Sequence, residues 1–314
     1  MFSGTGLFVF SDPGAAKAVL AQAFKLKFVL EKSIIISDRI YSFFDSFGLE
    51  VTFSIKKPED VVLNIKPDFI FTGTSYTSKI ELEYLKLAKK KSIKSYSFVD
   101  HWTSIKERFL LTNEYVFPDS ILLIDESAKN IALESGIENS LLVVFGNPYY
   151  DYLKNWKPDI TKCELFNKLN IPYNDNKTIV YAPDPLSNVN GRETYGFDEI
   201  EITNQINCIL LELNLPINFI LKMHPNQNIK KNKDVISCKM IIADAFIDSN
   251  LLIYYADVVM GFFSNFLIEA DIMNKNIVRI LSENNINDPL AKKNIGQIVY
   301  IDQLKTYLEC NYGK

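Results

Sequence analysis

The chain has 314 residues, 47% of them hydrophobic and 23% charged, with a formal net charge of −4. That is room for two domains, each able to bury a core, and it excludes a disordered chain. The acidic balance excludes a nucleic-acid binder with a basic footprint.

Strand and helix patterns alternate from the start. Leu7–Phe10 is a continuous apolar run and predicts a buried strand. Val19, Leu20, Ala23 and Phe24 then recur on one helical face. Ile34–Ile36 and Val51–Phe53 predict further strands, separated by a helix over Ile40–Phe47 that Gly48 stops. Phe69–Phe71 is a fourth strand, followed by Gly73-Thr74-Ser75. Leu82, Leu85 and Ala88 mark a helix, and Tyr96–Val99 and Ile121–Ile124 are the next strands. Such spacing predicts a parallel sheet covered on both faces.

After Leu141–Phe145 comes a Gly146-Asn147-Pro148 turn, and the pattern begins again. Strands are expected at Thr178–Ala182, Asn218–Met223, Met240–Ile242, Val258–Met260 and Ile277–Ile280. Helices are expected around Ile202–Leu213, Leu251–Tyr255 and Phe266–Met273. The domains are therefore placed at 1–146 and 147–314. A last helix over about Ile301–Leu308 is expected to fold back on the first domain. The fold class is α/β, with two Rossmann-like domains.

The four cysteines, Cys163, Cys208, Cys238 and Cys310, have no metal-ligand spacing and read as reduced thiols. The N-terminus lacks a basic, apolar leader, and no stretch approaches the ~18 apolar residues of a membrane span. A cytoplasmic protein is expected. The lysine runs Lys89–Lys91 and Lys230–Lys233 read as a solvated helix end and a loop. They leave at most peripheral contact with the inner face of a membrane.

In open parallel sheets, ligands sit beyond the carboxyl ends of the strands. The chain's two histidines both fall there, in Val99-Asp100-His101-Trp102 and Lys222-Met223-His224-Pro225. Imidazole can donate to a phosphate or exchange a proton near neutral pH. Gly261-Phe262-Phe263-Ser264-Asn265 links a strand to a helix. There, free amides and the helix dipole favour phosphate. Ser264 could add a hydroxyl, and Glu269, just over a turn on, a carboxylate for a ribose. Asp12-Pro13-Gly14 follows the first strand, where Gly14 would let a ligand approach. Asp184 and Ser187 lie in the Pro-rich loop after Ala182 and are candidates for donor contact. No Walker A or G-x-G-x-x-G pattern is present.

The second half resembles glycosyltransferases of the GT-B architecture, in which two such domains face each other across a cleft. Gly146-Asn147-Pro148 looks like the turn opening the donor domain of the peptidoglycan N-acetylglucosaminyltransferases. Lys222-Met223-His224-Pro225 is similar to the His-Pro motif of bacterial sialyltransferases, polysialyltransferases, Kdo transferases and CDP-glycerol glycerophosphotransferases. Ala256 through Ala270 is similar to the Ser-containing motif, ending in Glu-Ala, of the same groups. UDP-N-acetylglucosamine 2-epimerases share the architecture, but their Gly-Gly-containing donor motif is absent here. The acidic-acidic-Gly motif of sialyltransferases is absent too.

The resemblance implies an inverting, metal-independent glycosyltransferase. It would move a sugar from a nucleotide-activated donor to a hydroxyl of a surface glycan or glycolipid. A CMP-activated nonulosonate or Kdo is the favoured donor, and no cofactor is required. His224, with Pro225, Ser264 and Asn265, would hold the donor phosphate, and Glu269 its ribose. Asp100, with His101, would deprotonate the acceptor. Two other readings stay open: a nucleotide-sugar epimerase or hydrolase on the same scaffold, and a non-catalytic nucleotide-sugar-binding partner of a glycan assembly complex.

Overall fold

The computed structural model describes residues 2–54, 56–224, 239–244, 246–283, 287–291 and 293–313. The chain divides into two compact units, one ending at Asn155 and the other beginning at Trp156. Each is an α/β unit built on a parallel sheet.

In the first unit the strands are β1 (Thr5–Phe10), β2 (Lys32–Ser37), β3 (Thr52–Phe53), β4 (Phe69–Thr72) and β5 (Lys94–Val99). A small antiparallel hairpin follows, β6 (Leu110–Leu111) with β7 (Glu114–Tyr115), and then β8 (Ser120–Leu123) and β9 (Leu142–Val144). The main sheet runs β3-β2-β1-β4-β5-β8-β9, every pair parallel. Its helices are α1 (Pro13–Leu26), α2 (Pro58–Ile65), α3 (Ile80–Lys91), α4 (Glu126–Glu134) and α5 (Pro148–Asn155). Leu7 to Phe10 of β1 are all 0% exposed, as a central strand covered on both faces requires.

Helix α1 starts where Pro13 pre-sets the helical φ and needs no amide partner. Its small residues Ala15, Ala16 and Ala18 let it lie close to the sheet. A side chain at Gly73 would meet the Ala15 methyl at 2.5 Å, so the chain after β4 packs directly on this helix. The segment Ser42–Phe47 is a 3₁₀ helix rather than the α-helix expected. It does end at Gly48, which takes a left-handed φ of 57°.

The second unit has helices α6 (Lys162–Lys168), α7 (Gly191–Tyr195), α8 (Glu199–Leu213), α9 (Ser249–Tyr255), α10 (Asn265–Ile272) and α11 (Leu304–Tyr312). Its strands are β10 (Lys177–Ala182), β11 (Ile217–Leu221), β12 (Met240–Ile242), β13 (Val258–Gly261), β14 (Asn276–Leu281) and β15 (Gln297–Tyr300). They form the order β12-β11-β10-β13-β14-β15, again all parallel. Both sheets reverse direction of growth at one point, between β1 and β4 and between β10 and β13. The carboxyl ends of these strands open there, which is where a ligand is accommodated in such folds.

Two expectations about organisation change. The boundary falls at 155/156 and not at 146/147, because α5 packs on α1 and buries Tyr149 and Leu153 in the first unit. The Gly-Asn-Pro turn is the entry to that helix: Asn147 accepts the Tyr149 amide at 3.0 Å and Pro148 is the first helical residue. The last helix belongs to the second unit's own core, where Leu304 and Leu308 are 0% exposed among Val299, Leu210 and Phe219. Leu308→Ala is expected to cost about 2–5 kcal/mol, the range for a buried leucine whose cavity cannot collapse. A drop in the urea midpoint of the second unit checks this, and an unchanged midpoint would contradict it.

Candidate functional site

The carboxyl ends of β1, β4 and β5 carry a dense polar network. Buried Glu81, at the start of α3, accepts the Ser11 amide at 3.0 Å and a short hydrogen bond from the Ser75 hydroxyl. The same Ser75 oxygen accepts the Asp12 amide at 2.8 Å. Asp12 then ties three segments together: its carboxylate accepts the Tyr76 amide at 2.8 Å, the Thr77 hydroxyl at 2.6 Å and the Arg39 guanidinium at 3.2 Å. The Tyr41 hydroxyl donates to the Ser11 carbonyl at 2.8 Å. The loops after β1 and β4 are thus locked to each other and to the chain after β2.

Asp100 sits at the end of β5. Its Oδ1 receives the Arg108 guanidinium at 3.3 Å, which also donates to the Thr74 carbonyl and hydroxyl. Arg108 is buried and lies over the Tyr76 ring at 4.4 Å, and its Nε has no hydrogen-bond partner. Burial pushes the Asp100 carboxyl above the usual range, and Arg108 only partly offsets this. The other oxygen, Oδ2, presses on Gly14: a Cβ there would lie 2.2 Å from it. Gly14 and Asp100, widely separated in sequence, are brought together. His101 is exposed. Its Nδ1 accepts the Thr103 amide at 3.2 Å, which leaves Nε2 to carry the ring proton.

The second unit repeats the arrangement with other residues. The Asp184 carboxylate, after β10, accepts the Phe263 amide at 3.1 Å and also interacts with the Ser264 amide. These amides lead into α10. Burial pushes Asp184 up to about 6. Ser187 is engaged by its own unit: its amide donates to Glu199 at 2.7 Å and its hydroxyl at 2.6 Å. Glu199 is 2% exposed. That leaves Ser187 no hydroxyl proton for a ligand.

Ser264 is the N-cap of α10, but its side chain makes no capping bond, and its buried Oγ has no partner. Asn265 is exposed at the first helical position, and Glu269 is buried one turn on. His224, half-buried after β11, lies below the ordinary imidazole value, from burial first and then from the Lys222 charge. Pro225 lies outside the described residues. Tyr195 and Phe263 pair with ring centroids 4.8 Å apart, and the Lys222 ammonium lies 5.7 Å from the Phe266 ring centroid. Among the described residues no three of His, Cys, Asp and Glu gather as a metal-ligand set. No described helix is long and apolar enough to cross a membrane.

Sequence reasoning missed Glu81, Arg108, Glu199 and Arg279. Arg279 on β14 is 2% exposed, donates to the Phe262 carbonyl at 3.1 Å and pairs closely with Asp288. Its position inside the apolar run Asn276–Leu281 was the one available signal, since a charge within a central strand must be paired. Glu81 and Arg108 stand in ordinary charged segments and carry no such mark.

No protein-family model matches the chain, and no curated protein matches it in sequence. Solved structures do match in fold. The UDP-GlcNAc 2-epimerase of Methanocaldococcus jannaschii superposes with a TM-score of 0.65 at 15% identity, over 96% of this chain and 90% of that one. The S. aureus MnaA–UDP structure gives 0.63 at 15%, over 88% and 78%. The Neisseria meningitidis UDP-GlcNAc 2-epimerase bound to UDP-GlcNAc gives 0.60 at 17%, over 90% and 83%. The chain therefore has the fold of the GT-B-like UDP-GlcNAc 2-epimerases, with two Rossmann-like parallel-sheet units.

The Glu81 carboxyl is raised from the ordinary 4.5 to about 7, chiefly by burial. The folded state then keeps a proton that the unfolded chain gives up. The stability this contributes is complete below pH 4.5 and lost as the pH rises through 7. From this group the protein is expected to be less stable at pH 8 than at pH 5 by on the order of 3 kcal/mol. Glu81→Gln is expected to remove that share of the slope. Urea unfolding at the two pH values checks it; equal slopes in the two proteins would contradict it.

Proposed function

We propose that the protein is an enzyme acting on a UDP-activated sugar without a second substrate, most simply as an epimerase. The observation that carries this reading is Asp100. It is a carboxyl raised above its ordinary range, fixed by Arg108 and pressed against Gly14 at the ligand end of the first sheet. A carboxyl raised in this way is a better proton donor and acceptor toward a substrate than an ordinary exposed one. Inverting a carbon that bears hydrogen requires a proton to leave one face and return on the other. Asp100 would serve as one of the two groups.

The second unit would hold the nucleotide diphosphate. The Ser264 hydroxyl is buried without a partner at the start of α10, and the helix dipole favours negative charge there. Support for UDP over the CMP donor suggested by the His-Pro motif comes from the fold neighbours, which hold UDP or UDP-GlcNAc. One observation favours the transferase reading as second choice: the sequence lacks the Gly-Gly-containing donor motif that the resemblance would have an epimerase carry.

Incubation with UDP-GlcNAc alone in D₂O tests the choice, read by proton NMR. The proposal expects an epimer carrying one deuterium at the inverted carbon. Asp100→Asn is expected to slow its formation by about 10²–10⁴-fold while UDP-GlcNAc still binds. UDP-GlcNAc left unchanged and free of deuterium would sink the epimerase reading. Release of UDP only when a glycan acceptor is added would establish the transferase in its place.

A further inference from the structure

The start of α10 is the natural seat for a donor phosphate, yet a carboxylate of the protein already stands at its entry. The Asp184 carboxylate accepts the Phe263 amide and interacts with that of Ser264, just before the first turn of the helix. Asp184 is presented by the loop that leaves the central strand β10, and β10 pairs with β13, the strand feeding α10. A diphosphate brought to the start of α10 would stand beside this carboxylate, and in a site of reduced dielectric the two negative charges repel strongly. We propose that Asp184 is a built-in occupant of the phosphate seat: it holds the Phe263 amide at the entry to α10, and it takes up a proton when the diphosphate of a nucleotide sugar displaces it. This inference rests on the nucleotide-sugar reading above.

The surroundings fit a carboxyl that can be neutralised. Burial is the main influence on it, and the negative charge of Glu199 on α8 acts in the same direction. The other ionisable groups on the elements around it are Tyr181 on β10, Lys222 and His224 after β11, Tyr195 on α7, Glu269 on α10 and Arg279 on β14. Arg279 is spent on Asp288 and the Phe262 carbonyl, so it does not hold Asp184 in its charged form. Tyr181 is fully buried, with its hydroxyl paired to Thr203 at 3.2 Å. His224 could also gain a proton on phosphate binding, so the test must separate Asp184 from its neighbours.

The consequence is a proton linked to binding. UDP-GlcNAc is the right probe, because its diphosphate has no ionisation of its own between pH 5 and 8. Affinity should rise as the pH falls, by up to tenfold per pH unit above the carboxyl's pKa. Titration calorimetry at pH 7 in buffers of different ionisation enthalpy should show close to one proton taken up per UDP-GlcNAc bound by the wild-type protein. Asp184→Asn should bind about tenfold or more tightly than wild type at pH 8, equal it within about twofold at pH 5, and take up no proton. The wild-type uptake needs no variant, so a misfolded Asp184→Asn would not rescue the idea. Uptake absent from wild type, uptake persisting in Asp184→Asn, or binding in Asp184→Asn that is weaker or unchanged at pH 8 would each overturn it. Binding by neither protein at any pH would instead overturn the nucleotide-sugar reading, and this inference with it.

Discussion

Buried carboxylates hold the ligand ends of both sheets in shape. A parallel sheet covered on both faces leaves its strand-end loops as the only places where polar backbone must find new partners. In the first unit Glu81 satisfies the Ser11 amide and the Ser75 hydroxyl, and Asp12 satisfies the amide of Tyr76. In the second, Glu199 does this for Ser187 and Asp184 for Phe263. Glu81, Asp12 and Asp184 each tie together segments distant in sequence, and Glu199 holds Ser187 twelve residues away. Removing Glu81 would leave the buried Ser11 amide and Ser75 hydroxyl unsatisfied at once, at about 1–3 kcal/mol apiece.

The same acids set the chemistry. Burial raises Glu81 to about 7 and Asp184 to about 6, and it raises Asp100 above its ordinary range as well. Asp100 differs from Glu81 in being partly open, with its side chain 21% exposed. That exposure separates a group that can reach a substrate from one that anchors a loop. Arg108 makes the distinction sharper, since its bonds to Asp100 and Thr74 fix the carboxylate in one orientation. In the second unit the Asp184 carboxylate holds the Phe263 amide at the entry to α10, so the proposed binding of a diphosphate there would be exchange rather than simple filling.

Much of the fold was legible because central strands must be apolar on both faces. Leu7–Phe10, Phe69–Phe71 and Val258–Met260 announce themselves in this way, and the turns and helices between them follow. Helix α2 was passed over although Pro58, Glu59 and Asp60 are the ordinary marks of a helix start. The hairpin at Leu110–Tyr115 is too short to show a period. The domain boundary was misplaced because a Gly-Asn-Pro turn looks the same whether it ends a domain or begins its last helix. Of the candidate residues, Asp100 in the first unit and His224 and Ser264 in the second stand out in the sequence as polar residues just past strands. Nothing in the sequence tells that Glu81 is buried and Glu83 is not, because that depends on which face of α3 meets the loops after β1 and β4. The role of Asp184 was hidden for the same reason: loop acids become caps only once another element's amides are brought to them.

Hydrogen–deuterium exchange on the whole chain with and without saturating UDP tests the central claim most directly, because it locates the ligand as well as detecting it. A site at the switch point of the second sheet predicts slowed exchange in the peptides covering residues 183–188, 222–224 and 262–267. Protection confined to the first unit, or none at UDP concentrations in the millimolar range, would contradict the account.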